Sequence, residues 1–281
     1  MLIRRQDFSV LLLYYLGYSR ISNFILRLQN KPVARFVMFH DIPPEAIGCF
    51  KANLSFLKQN TNVMSLGDFC SGNLSPKKIN VVITFDDGYK SWVTDAVPIL
   101  KELELPAIFF VSSGFVGLSK EHETDFLQTN LLIPDNNIAT GGLTCDDLRN
   151  IAEEGFAIGG HTLNHYNLAE LRNSTQLRYE IAEDKTRLEN IIGKRIQFFA
   201  YPFGALHNPE INLTDVLRDC GYIAAVTTVS GFNRGSTNPY LLHREITHAS
   251  MPGSVFKART HGNYDAVQFL KQQVNKIFSW R

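Results

Sequence analysis

Val81-Val82-Ile83-Thr84-Phe85-Asp86-Asp87-Gly88-Tyr89 decides the reading of this chain. Its first five residues are apolar or β-branched, the pattern of a buried strand. The run stops at two adjacent carboxylates and a glycine. Taken alone, Asp-Asp-Gly is an ordinary turn, because both residue types favour turns. Two like charges at the end of a buried strand are nevertheless costly unless a cation lies beside them. A second stretch offers the other half of a cation site. Gly155 to Gly160 reads as a strand closing on glycines, and His161-Thr162-Leu163-Asn164-His165 follows directly. One carboxylate and two imidazoles, each delivered at a strand end, can hold a divalent ion and leave coordination positions open.

The rest of the composition narrows the class. A chain of 281 residues, 44% hydrophobic and 20% charged, is folded and globular, with one domain the first choice. Lys plus Arg number 28 against 27 for Asp plus Glu, so the net charge of +1 argues against a nucleic-acid surface. Cys49, Cys70, Cys145 and Cys220 are widely spaced and contain no Cys-x-x-Cys. That excludes a zinc ribbon and makes a disulfide framework unnecessary, so they read as buried thiols.

Moving outward from the central strand, apolar runs and helical periodicity alternate about seven times. Strands are expected at 35–39, 81–85, 106–111, 156–159, 196–200, 222–227 and 240–246. Helices are expected at 50–60, 92–104 with a kink at Pro98, 144–154, from Ser174 as cap to Gly193, 213–220 and 265–280. Residues 117–142 show no sustained period and read as a surface insertion. Such alternation fits right-handed crossovers and a parallel sheet. No Gly-x-Gly-x-x-Gly follows any strand, which disfavours a dinucleotide-binding sheet. A barrel explains why the unusual polar residues cluster at carboxyl ends of strands.

Residues 1–31 are expected to form an N-terminal amphipathic helical segment ahead of a barrel domain at 32–281. Val10–Leu16 is apolar but far short of the ~20 residues that span a bilayer. Arg4 and Arg5 before Phe8–Leu16 imitate a signal peptide, yet Asp7 interrupts and no small-x-small site follows. The apolar pattern continues through Ile21, Phe24, Ile25 and Leu28, with Arg20 and Arg27 between. Three placements stay open: packed on the barrel, peripheral membrane contact through residues 8–28, or cleavage. A cytoplasmic or peripheral inner-membrane location is favoured, with a secreted or periplasmic one as the alternative.

The two opening stretches resemble the Thr-Phe-Asp-Asp-Gly and His-Ser/Thr-x-x-His motifs of the polysaccharide deacetylase family (the NodB-homology domain, carbohydrate esterase family 4). Phe199-Ala200-Tyr201-Pro202-Phe203-Gly204 resembles its third motif, and the likeness runs roughly from residue 35 to 250. The resemblance implies a distorted (β/α)7 TIM-like barrel, in agreement with the strand count. It also implies a hydrolase that removes N-acetyl groups from amino sugars of a polysaccharide or lipid-linked glycan. An O-acetyl carbohydrate esterase and a catalytically impaired glycan-binding domain are the alternatives.

Asp87, His161 and His165 are the expected metal ligands. Carboxylate with imidazole suits zinc, and cobalt, nickel or manganese are compatible by ligand type. By position in the family motif, Asp86 is then the general base. The backbone N–H of Phe203 would stabilise the developing oxyanion, while Tyr201 and Phe203 could equally form an apolar floor for a sugar ring. Many family members carry arginine where this chain has Ala200. Arg244 is the expected substitute for orienting Asp86, as the sequence here resembles the exopolysaccharide-type members. His40, after the first strand, is the favoured general acid, with His243 and His248 as rivals. His243 and Arg244 point to opposite faces if that stretch is a strand. Asp41 could orient the His40 ring or cap the next turn.

Overall fold

Asp86 and Asp87 are the last two residues of the central strand and not the turn beyond it. A computed structural model describes residues 5–18, 21, 31–134, 140–204, 208 and 210–278. The chain opens with helix α1 (Arg5–Tyr15), strand β1 (Ala34–Phe39), α2 (Ile47–Asn60), β2 (Asn62–Val63), α3 (Leu66–Cys70) and β3 (Asn80–Asp87). A wide π turn at Trp92–Ala96 leads into α4 (Val97–Glu102), then β4 (Ile108–Val111), α5 (Lys120–Thr129), α6 (Cys145–Glu153) and β5 (Ala157–Gly160). After these come α7 (Ser174–Ile192), β6 (Phe198–Ala200), α8 (Leu213–Asp219), β7 (Ala224–Val226), β8 (Glu245–Ile246), α9 (Gly253–Thr260) and α10 (Asn263–Phe278).

All the strands run parallel, in the order β7-β6-β5-β4-β3-β1-β8, with β2 paired to the start of β3. The sheet closes on itself through the residues before β8. Thr227 N–H donates to the Leu242 carbonyl at 2.8 Å, Leu242 N–H to Ala225 at 3.0 Å, and Arg244 N–H to Val229 at 3.0 Å. This is the expected seven-strand barrel, distorted at its seam. The last expected strand shrinks to Glu245–Ile246, because Pro239–Leu241 forms a 3-10 turn.

Alternation along the strands divides the core. Phe36, Val82, Phe110, Ala200 and Val226 fill the barrel interior. Val37, Ile83, Phe85 and Phe109 face the helices. Four expectations are corrected. Residues 117–142 contain α5, whose polar sequence buries Phe126 and so shows little periodicity; residues 135–139 lie outside the described chain. Helix α9 was not anticipated; it starts at Gly253 with Pro252 as its cap residue, two residue types that more often interrupt a helix. Asn173, not Ser174, caps α7, accepting the N–H groups of Thr175 and Gln176. The cysteines are free thiols, with Cys70 exposed and the others half-buried. Pro98 falls in the first turn of α4, directly after the π turn.

Helix α1 packs on α9 and α10 through Val10, Ala258 and Val267. The expected continuation over Phe24–Leu28 lies outside the described residues. Among those described, no helix is long and apolar enough to cross a membrane.

Candidate active site

The carboxyl ends of β3 and β5 meet at one rim of the barrel. The Asp87 Oδ1 atom lies 3.4 Å from His161 Nε2 and 3.3 Å from His165 Nε2. All three residues are buried, and their ligand atoms fall within 4.8 Å of one another. Tetrahedral ligands ~2.0–2.2 Å from an ion stand ~3.3–3.6 Å apart, and the two Asp87–imidazole distances match that spacing. Each ring is held by a main-chain carbonyl. Nδ1 of His161 meets the Ala200 carbonyl at 2.7 Å, and Nδ1 of His165 meets the Asn130 carbonyl at 2.9 Å. Donating from Nδ1 leaves Nε2 free to ligate.

Local backbone geometry aims these groups. Strict alternation would send Asp86 and Asp87 to opposite faces of β3. A φ of 93° at Asp87 breaks that rule, so both carboxylates lie within 4 Å of the same His161 nitrogen. Thr162, His165 and Phe203 are also left-handed, at 64°, 54° and 56°. Non-glycine residues persist there only where surrounding contacts impose it, commonly at functional sites. Gly204 is demanded for the same reason: its φ is 68°, and a Cβ there would collide with Thr228.

Asp86 is held from the other side. Nη1 and Nη2 of Arg244 donate to its two oxygens, each at 2.6 Å, in a planar fork. Arg244 is anchored by the Thr227 carbonyl at 2.8 Å and lies over Phe110. Burial alone would raise the Asp86 carboxyl, but the Arg244 guanidinium, with His161 and His40, holds it below the usual carboxylate range. Burial likewise opposes ionisation of Asp87, and His161, His40 and His165 overcome it. The imidazoles part company. Burial pulls His165 down to about 4, whereas Asp86 and Asp87 outweigh burial at His161 and raise it.

Helix α7 carries the loop that bears both histidines. Asp184, fully buried, accepts the Ser113 N–H at 2.8 Å and the His161 N–H at 2.9 Å. One turn earlier, Glu180 accepts the Asn164 N–H and its side-chain amide, both at 2.8 Å. The two carboxylates stand four residues apart on one helical face.

The remaining expected residues separate clearly. His40 is half-buried and near enough to both aspartates to favour their charged forms. His243 packs its ring against Gly231, on the face opposite Arg244, and His248 turns to Ser250 at 3.1 Å. Asp41 does not orient His40: it accepts Ile42 N–H, Ser91 Oγ and Thr140 Oγ1 as a turn cap. Tyr201 is not a floor for sugar, being buried with its hydroxyl on the Tyr240 carbonyl at 3.1 Å. Phe203 is 47% exposed, its ring centre 4.7 Å from that of His165. Sequence reasoning missed Asn130, Glu180, Asp184 and the buried Tyr89 phenol, which burial and the neighbouring Asp87 keep protonated.

Fold and site together define a class: parallel α/β barrels with a buried carboxylate–imidazole cluster where their strands end. Within that class the chain belongs to the polysaccharide deacetylase family, whose model matches residues 73–225. It is 28% identical over 183 residues to YxkH of Bacillus subtilis (strain 168), a protein assigned as a polysaccharide deacetylase; the match covers 65% of this chain and 57% of that one. It is 29% identical over 147 residues to a chitooligosaccharide deacetylase of Azorhizobium caulinodans, covering 52% and 58%. The matches thus span under two thirds of the length of these curated relatives. In fold it is similar to IcaB from Ammonifex degensii, with a TM-score of 0.67 and 21% identity over 83% of this chain and 97% of that one. The Streptococcus pyogenes deacetylase PplD in complex with acetate gives 0.64 and 20% over 82% and 99%. His40 and Arg244 lie outside the segment matched by the family model, so their place rests on geometry.

Proposed function

We propose that this chain removes N-acetyl groups from amino sugars of a polysaccharide or lipid-linked glycan, with a divalent cation held by Asp87, His161 and His165. The observation that carries the reading is the position of Asp86. It is buried, ionised and gripped by Arg244, yet 3.9 Å from His161 Nε2 at the edge of the cation pocket. Held by these three residues, a divalent cation, for which zinc suits the ligand set, would polarise the acetamide carbonyl and lower the pKa of an attacking water. Asp86 takes the proton of that water as general base. Arg244 fixes its two oxygens in place and keeps them charged. The Phe203 N–H, in its left-handed turn, donates to the carbonyl oxygen as that atom gains charge. His40 gives a proton to the departing amine, which leaves poorly without one. The exposed Phe203 ring offers an apolar face beside the pocket for a sugar.

An amide substrate is supported by the relative named for chitooligosaccharides, which are N-acetylated amino sugars. The test is acetate release by the metal-loaded protein from N-acetylglucosamine oligomers and, in parallel, from O-acetylated xylan. Release from the first alone is expected. Release only from xylan would make the protein an esterase, and sugar binding with no release from either would make it a binding module.

A further inference from the structure

Helix α1 is apolar on two sides, and the fold covers one of them. Val10 is fully buried against Ala258 and Val267, with Leu11, Leu13 and Tyr14 packed around it. The Tyr14 ring stacks on His261, centroids 6.3 Å apart. On the other side lie Phe8, Leu12, Tyr15 and Leu16, exposed by 68, 51, 73 and 69%. Their spacing of i, i+4, i+7 and i+8 makes a single stripe. Tyr18 and Ile21 beyond it are exposed by 41 and 63%. Single exposed apolar side chains need no explanation, but a stripe of them marks a surface that is covered in use.

Charge decides what covers it. Residues 1–31 contain Arg4, Arg5, Arg20, Arg27 and Lys31 against Asp7, so five minus one gives +4; the whole chain is +1, which leaves −3 for residues 32–281. A second copy of the chain would bring one +4 segment against another. An anionic bilayer instead offers headgroups of opposite sign, acyl chains for Phe8, Leu12 and Leu16, and an interfacial zone suited to Tyr15 and Tyr18. We propose that the outward stripe of α1 docks this protein on the surface of an anionic phospholipid bilayer. The buried side of the same helix ties the barrel to that surface. Docking of this kind stands independently of which acyl group the barrel removes.

The full-length protein, mixed with phosphatidylcholine vesicles with and without phosphatidylglycerol, tests this by flotation. Retention on the anionic vesicles is expected, weakened by high salt. Leu12→Glu with Leu16→Glu should cut it at least roughly tenfold, with the thermal midpoint recorded alongside. A conservative probe guards against misfolding: Leu12→Trp should shift its fluorescence to the blue on anionic vesicles and be quenched by brominated acyl chains. Absence of retention, equal retention of the double variant, or an unquenched Leu12→Trp would each overturn the proposal. So would a dimer in sedimentation that the double variant dissociates, since it would assign the stripe to a second copy.

Discussion

Two arginines, Arg244 and Arg35, are fully buried and gripped by carboxylates, yet they do different work. Arg244 lies inside the barrel, forked onto Asp86. Arg35 lies on the outer face of β1, on Asp265 at 2.5 Å and Glu245 at 3.5 Å, with its guanidinium over the Phe232 ring. Glu245 follows Arg244 directly, and strand alternation sends the two to opposite sides. What separates the clusters is how fully each carboxylate is used. Glu245 is enclosed by Arg35, by Arg259 at 2.8 Å and by the Ser230 hydroxyl. Asp86 has one arginine behind it and a histidine pocket in front. A buried ion pair becomes chemically useful when its carboxylate keeps a free approach; without one it serves the fold.

The largest expected effect tests that difference directly. Asp86→Asn should lower kcat roughly 10²–10⁴-fold while metal content stays unchanged, and Asp87→Asn should lose both. Glu245→Gln, in the enclosed cluster, should leave kcat of the folded protein unchanged. A matching loss of kcat in Glu245→Gln would break the distinction.

Next come the arginines themselves. Removing one partner of a buried pair costs ~3–5 kcal/mol, so Arg244→Met and Arg35→Met should both lower the denaturant midpoint. Only Arg244→Met should move the pH profile. Its removal leaves burial, which raises a carboxyl, unopposed by the guanidinium at Asp86. The base then stays protonated to higher pH, and the acidic limb of kcat/KM shifts upward. If Arg35→Met moves that limb as well, the two clusters are coupled.

These contrasts also mark what could be read in the sequence. Asp87, His161 and His165 were legible because each sits in a short contiguous stretch at a strand end. Arg244 was reachable through the alanine at position 200, which left open either a weaker site or a second cation beside Asp86. Arg35 had no such signal: it is one basic residue in an apolar strand, and its partners lie some 200 residues away in sequence. Glu180 and Asp184 were hidden differently. Helix α7 also carries Glu183 and Glu189, and periodicity does not tell which carboxylates face a loop arriving from elsewhere. Asn130 acts through its carbonyl, which every residue has.

Glu180 and Asp184 give the third test, of intermediate size. Both oxygens of Asp184 accept main-chain N–H groups, and an asparagine would turn an NH2 toward one of them. Asp184→Asn should therefore loosen His161 and weaken cation affinity roughly 10–100-fold. Glu180→Gln should change affinity little, because the Asn164 amide can rotate to accept from the new NH2. Cation titration of both variants beside their thermal midpoints separates a positioning role from a general loss of folding. Equal affinities in the two variants would reduce Asp184 to a strut of the fold.

The smallest effect is a proton. In the cation-free protein His161 is raised because Asp86 and Asp87 outweigh the burial that pulls it down. His165, drawn down to about 4 by burial, is neutral throughout the range above that. Below the raised pKa of His161 a cation must displace the proton on that ring, so affinity should climb with pH and level off once the pKa is passed. Uptake below that pKa should release up to one proton, and it comes from His161 rather than His165. Calorimetry in buffers of different ionisation enthalpy reads that number as a slope. A slope of two would mean that His165 is protonated as well, and a slope of zero that the Asp86–Arg244 pair is too tightly closed on itself to lend its charge to the imidazole.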